Sequence, residues 1–155
     1  MPGWEVLPRG ESPIDVDGWY PPSGVPAPTI VNLVGDVHPE IVVSLNDGFV
    51  AVYDHTGQRL WRTDTRHGLA ISFNSETTVA DLNQDGTPEI VVGRQILDHV
   101  GAILATGTGA RGDNGVGPLS TVADIDLDGR PDIVAGFTVY DVVTDDVSLE
   151  ETYAE

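Results

Sequence analysis

The sequence contains no cysteine and no lysine. Without thiols there can be no disulfide framework, no thiolate nucleophile and no cysteine-ligated zinc, and the redox compartment is left open. Seven arginines supply all the fixed positive charge against 25 acidic residues, for a net charge of −18. Such a chain repels phosphate backbones and anionic lipid, so nucleic acid is excluded as an expected partner. No apolar run approaches the roughly 20 residues needed to cross a bilayer, so membrane insertion is not expected. The opening Met1-Pro2-Gly3-Trp4-Glu5 has neither a basic n-region nor an apolar h-region, and no signal peptide is visible.

A chain of 155 residues suffices for one compact domain. Its apolar fraction is rich in Val and Ile, and 18 Gly and 11 Pro supply many turns, which predicts an all-β fold. Residues 1–27 read as a Pro/Gly-rich N-terminal extension. Beyond them the chain repeats itself. Thr78-Val79-Ala80-Asp81-Leu82-Asn83-Gln84-Asp85-Gly86-Thr87-Pro88-Glu89-Ile90-Val91-Val92-Gly93 returns 43 residues later as the stretch from Thr121 to Gly136, and a weaker copy from Thr29 to Ser44 lies 49 residues upstream. Short β-branched runs flank each loop and are too brief for helices. In the first copy Asn46-Asp47-Gly48 signals a turn, Phe49 to Asp54 alternates like a half-buried strand, His55-Thr56-Gly57 turns again, and Arg59 to Thr63 forms a fourth strand. The expected unit is therefore a four-stranded antiparallel meander, repeated near residues 28–70, 71–117 and 118–155. Gly107 to Gly117 is glycine-rich and expected to be a mobile connection. The acidic tail from Asp145 onward reads equally as a last strand or a frayed end.

The acidic residues are not scattered. In the two strong loops oxygen-bearing side chains fall at positions 1, 3, 5 and 9: Asp81, Asn83, Asp85 and Glu89, then Asp124, Asp126, Asp128 and Asp132. Calcium takes six to eight hard oxygen ligands, and alternate residues of a tightly curled loop can aim several at one point. Gly86 and Gly129 at position 6 allow a positive-φ turn where a Cβ is expected to clash. Pro88 and Pro131 hold the preceding Thr87 and Arg130 extended, so those two are expected to contribute backbone carbonyls while their side chains play no part. Leu82 and Ile125 at position 2, with Ile90 and Ile133 at position 10, are expected to anchor the loop ends in the core. Position 12 is Val92 or Ala135 rather than the bidentate Glu of an EF-hand, which disfavours that reading. The first copy, Asn32 to Glu40, has Val34 at position 3 and Val37 at position 6, and is expected to be a metal-free structural turn.

These residues resemble the FG-GAP and VCBS-type repeats of integrin α-subunit β-propellers and their bacterial relatives, over roughly residues 28 to 140. The resemblance implies propeller blades whose first two strands are joined by a calcium-binding loop. Carried over position by position, it implicates Asp81, Asn83, Asp85, Thr87 and Glu89 in one site, and Asp124, Asp126, Asp128, Arg130 and Asp132 in another. The Phe-Gly and Gly-Ala-Pro elements that name the family are absent. Three units fall short of the four to eight blades that close a propeller, so an incomplete propeller is expected, completed by further blades of a longer chain or by self-association.

Arg111-Gly112-Asp113 copies an adhesive tripeptide, although three residues are weak grounds in a glycine-rich loop. His38, His55, His67 and His99 show no metal-ligand spacing, and Trp4 and Trp61 are as well suited to packing as to stacking on sugar. No Gly-x-Ser-x-Gly elbow or phosphate-cradling loop occurs. The resulting expectation is a non-catalytic, two-calcium module of a secreted or cell-surface protein, serving recognition, adhesion or scaffolding toward a protein or glycan ligand. A calcium-dependent polysaccharide lyase and a lectin-like glycan binder are the alternatives.

Overall fold

The computed structural model describes residues 27–44, 49–63, 76–110, 112, 119–143 and 147–154. Among them there is no helix. Twelve strands form three four-stranded antiparallel sheets in which each strand pairs with its sequence neighbour, and the sheets do not close into a barrel. The first sheet comprises β1 (Thr29–Val31), β2 (Glu40–Ser44), β3 (Val50–Tyr53) and β4 (Arg59–Arg62). The second comprises β5 (Thr78–Ala80), β6 (Glu89–Val92), β7 (Gln95–Leu97) and β8 (Ile103–Thr106). The third comprises β9 (Ser120–Ala123), β10 (Asp132–Ala135), β11 (Thr138–Val143) and β12 (Ser148–Ala154). The acidic tail is thus a strand, paired along β11.

The sequence repeat is a repeat of register. Thr29 lies opposite Val42, Thr78 opposite Val91 and Thr121 opposite Val134. The irregularity in the outer pair also recurs at one equivalent place, Val52/Tyr53, Ile96/Leu97 and Val139/Tyr140. Residues Gly93 and Gly136 open the two-residue loops after β6 and β10 with φ of 58° and 65°, the glycine-first form that suits the twist of a tight hairpin.

The sheets stack face to face, and strand alternation sends successive residues to opposite interfaces. Val42, Val50 and Val52 of the first sheet pack with Ile90, Val92 and Leu97 of the second in one buried cluster. On its other face the second sheet contributes Val91 and Ile96 to a cluster with Ile133, Ala135, Tyr140 and Val142 of the third. Each Val of an Ile-Val pair (Val42, Val91) therefore looks toward the next sheet, and each Ile (Ile90, Ile133) toward the previous one. Threonine ties the first strands of successive sheets: the Thr29 hydroxyl donates to the carbonyl of Thr77, just before β5, at 2.6 Å, and the Thr78 hydroxyl to the Ser120 carbonyl at 2.8 Å. Trp61 sits between sheets, its indole N–H on the His99 carbonyl at 3.0 Å and its ring where a Cβ on Gly101 would lie 2.7 Å away.

Two expectations change. Leu82, Ile90 and Ile133 are fully buried as anchors, but Ile125 is 50% exposed, because among the described residues no further sheet covers the face of the third that its equivalents fill in the first two. The described part of the glycine-rich stretch is held in place, with Gly107 N–H on Arg94 O, Ala110 N–H on the Thr138 hydroxyl, and Thr108 O and Gly109 O accepting from the Arg94 guanidinium. Trp4, His67, the Asn46-Asp47-Gly48 turn, Arg111 and Asp113 lie outside the described residues.

Candidate metal centre

Each sheet carries its loop between the first and second strands, so the three loops occupy equivalent places. The curl of the two strong loops is written in side-chain caps. Asp81 accepts the N–H of Asp85 on one oxygen and that of Gly86 on the other, at 3.0 and 2.9 Å. Asp124 does the same for Asp128 and Gly129, at 3.1 and 3.0 Å. Asn83 and Asp126 cap the same position-5 N–H, and Asp85 and Asp128 cap the N–H two residues on. These caps turn the first, third and fifth side chains to the same side of the loop. In the second strong loop, carboxylate oxygens of Asp124, Asp126 and Asp128 all lie within 4.8 Å of one another.

Backbone conformation explains the glycines differently from the expectation. Gly86 and Gly129 have φ of 91° and 90°, yet a Cβ on either would meet nothing within 4 Å. Left-handed backbone, not space, demands glycine there. Position 4 is also left-handed in every loop, at Gly35, Gln84 and Leu127, with φ of 77°, 60° and 63°. Nothing in the residue types Gln and Leu announces this.

Position 9 plays a part that sequence reasoning missed. Glu40, Glu89 and Asp132 are all buried, and each accepts the N–H of the residue at position 2: Leu33 at 2.7 Å, Leu82 at 2.8 Å and Ile125 at 2.7 Å. Because the first loop does this too, the carboxylate staples the loop's two ends whatever else it binds. Burial, reinforced by Asp85 and Asp81, raises the pKa of Glu89; burial, reinforced by Asp141 and Asp126, raises that of Asp132. Exposed Asp85 and Asp128 are shifted the other way. The Thr87 N–H and the Asn83 amide lower the first, and the Arg130 side chain and N–H lower the second.

The Arg130 side chain is not idle. Its Nε and terminal nitrogen reach Asp128 Oδ2 at 2.7 and 2.6 Å, a cation resting on one of the clustered carboxylates. In the first loop Asn32 accepts the Gly35 N–H and donates its amide to the Asp36 carbonyl, so a side-chain donor cross-links the loop. The Gln84 amide spans two loops, donating to the Gly129 carbonyl at 3.3 Å.

Two further arrangements lie outside the loops. Asp54 and Asp98 each cap the N–H groups two and four residues on and close the same four-residue turn through Gly57 and Gly101. The signal was present as Asp54-His55-Thr56-Gly57 and Asp98-His99-Val100-Gly101. His38 and His55, distant in sequence, stack with ring centroids 3.9 Å apart.

No family model and no curated relative matches the chain. Among solved structures, the Vibrio cholerae biofilm matrix protein Bap1 is similar with a TM-score of 0.59 and 21% identity, over 79% of this chain and 19% of that one. The chain thus spans about a fifth of that structure's length, and the likeness is one of fold. A structure of BBS1N in complex with ARL6DN, soaked with lead, aligns at a TM-score of 0.49 and 12% identity, over 85% of this chain and 44% of that one.

Proposed function

We propose that the chain is a non-catalytic, calcium-binding β-propeller segment that serves adhesion or scaffolding outside the cell. The observation that carries the reading is the pair of pre-curled loops, in which caps on Asp81, Asn83 and Asp85, and on Asp124, Asp126 and Asp128, gather oxygen donors to one side. An all-oxygen set rich in carboxylate, without His or Cys, suits a hard divalent cation, and its irregular loop favours calcium over the strict octahedron of magnesium. Asp81, Asn83, Asp85, the Thr87 carbonyl and Glu89 would hold one ion; Asp124, Asp126, Asp128, the Arg130 carbonyl and Asp132 the other. The ions would offset the mutual repulsion of carboxylates that the metal-free loops hold together. The adhesive part of the reading draws support from the biofilm matrix protein of similar fold.

Calcium binding to the folded state alone must raise stability by linkage. The test is the melting temperature in calcium, magnesium and chelator, with calorimetric titration of the stoichiometry. A calcium-specific rise with two ions bound per chain supports the proposal. Equal melting in calcium and chelator rejects it.

A further inference from the structure

The third sheet repeats the docking face that the first two use, but nothing among the described residues occupies it. At the threonine position, Thr29 and Thr78 each donate to the next sheet, whereas Thr121 is exposed. At loop position 2, Leu33 is 1% exposed and Leu82 0%, whereas Ile125 is 50% exposed. On the second strand Val42 and Val91 are fully buried, and Val134 is not; on the third, Val52 and Ile96 are fully buried, and Val139 is not. Four positions, three of them cross-strand neighbours, thus change in the same sense at one face.

We infer that this face of the third sheet, formed by Thr121, Ile125, Val134 and Val139, is the docking surface for a fourth sheet of the same repeat. The chemistry of the occupant follows from the two interfaces already present. Its second and third strands would present β-branched or bulky apolar side chains where the existing sheets present Ile90, Val92 and Leu97, or Ile133, Ala135 and Tyr140. Its first strand would offer a backbone carbonyl to the Thr121 hydroxyl. The first sheet of a second copy is the poorer candidate, because on its corresponding face only Ile41 is partly open while Val43, Ala51 and Tyr53 are already buried, at 9%, 0% and 5% exposure. The inference stands on sheet stacking and not on the metal, so it and the calcium reading fail independently.

The test lengthens the full chain beyond Glu155 by a copy of its own residues 70–110, which places the next threonine 43 residues after Thr121. The absence of native cysteine allows Ile125→Cys to report alone. Its alkylation rate by iodoacetamide, measured in calcium and in chelator, is expected to fall at least tenfold in the lengthened chain. Hydrogen exchange in the added segment is expected to slow to the range of the second sheet. Val134→Asp in the lengthened chain is expected to restore the thiol rate. Unchanged alkylation, or an added segment that gains no exchange protection, overturns the inference. So does concentration-dependent thiol protection of the original chain with a doubling of mass in sedimentation, which would make a second copy the occupant.

Discussion

Replacing Leu82 and Ile125 by alanine asks how much the same repeat position is worth with and without a neighbouring sheet. Leu82 is fully buried among Val91, Ile96, Ile133 and Tyr140, so Leu82→Ala removes buried methyl groups and leaves a cavity walled on both sides. Such truncations cost about 2–5 kcal/mol, and a value near 3 suits a site enclosed by two sheets. Ile125 is half exposed. Its truncation forfeits part of a transfer term and leaves an open dent, costing about 1 kcal/mol or less. For a chain of this size the first change lowers the melting temperature by roughly 6–12 °C and the second by no more than about 4 °C. Urea titration followed by far-ultraviolet circular dichroism in chelator, which keeps metal out of the comparison, measures both as shifts in midpoint at constant slope. If Ile125→Ala costs as much as Leu82→Ala, or Leu82→Ala lies within about 1 kcal/mol of the parent, the stacking argument is wrong.

In the metal-free chain Glu89 and Asp132 have raised pKa values, so the stability they contribute is present at and below the ordinary carboxylate range and is lost as pH rises through the raised values. Glu89→Gln, whose amide oxygen can still accept from Leu82, should therefore leave the metal-free melting temperature at pH 7 no lower than the parent's while weakening calcium binding roughly tenfold, since one charged ligand is gone. A lower metal-free melting temperature would contradict this. Arg130→Ala should let the Asp128 pKa climb back toward its ordinary value, read by carboxyl carbon chemical shift, and should tighten calcium binding by removing a competing cation, measured by calorimetric titration, because an exposed ion pair of this kind is screened by solvent and adds little to stability. Leu127 is 84% exposed with φ of 63°, so Leu127→Gly should stabilise by about 0.5–1 kcal/mol, the relieved strain outweighing the added freedom of the unfolded chain. Destabilisation in a denaturant titration would show that the leucine side chain has a role beyond its own loop.

The loops were legible because their logic is local: oxygen donors at alternate positions and a glycine where the backbone turns left-handed need no knowledge of the rest of the chain. Sheet order was legible for the same reason, since each strand pairs with its sequence neighbour. What escaped depends on neighbours in space. Leu82 and Ile125 occupy one repeat position and have similar hydrophobicity, yet only the presence of a following sheet decides which is buried. The staple made by Glu89 could not be separated from the ligand role expected of it until the first loop showed Glu40 making the same bond. Arg130 has the residue type of a bystander, and only its position in space shows the reach of its side chain back to Asp128. The stacking of His38 on His55 joins a loop of one strand pair to the turn of another, a proximity that no spacing encodes.

Because, among the described residues, every strand pairs with its chain neighbour and the sheets pack in chain order, no described strand ties distant sheets together under load. Tension applied along the chain would be met serially, each sheet peeling away from an otherwise intact stack. One repeat of 43 residues would release on the order of 150 Å of contour length. A stack of this kind lengthens in regular steps and can re-form each sheet from adjacent sequence when the load falls, so it would act as an extensible tether whose reach is set by the number of its repeats.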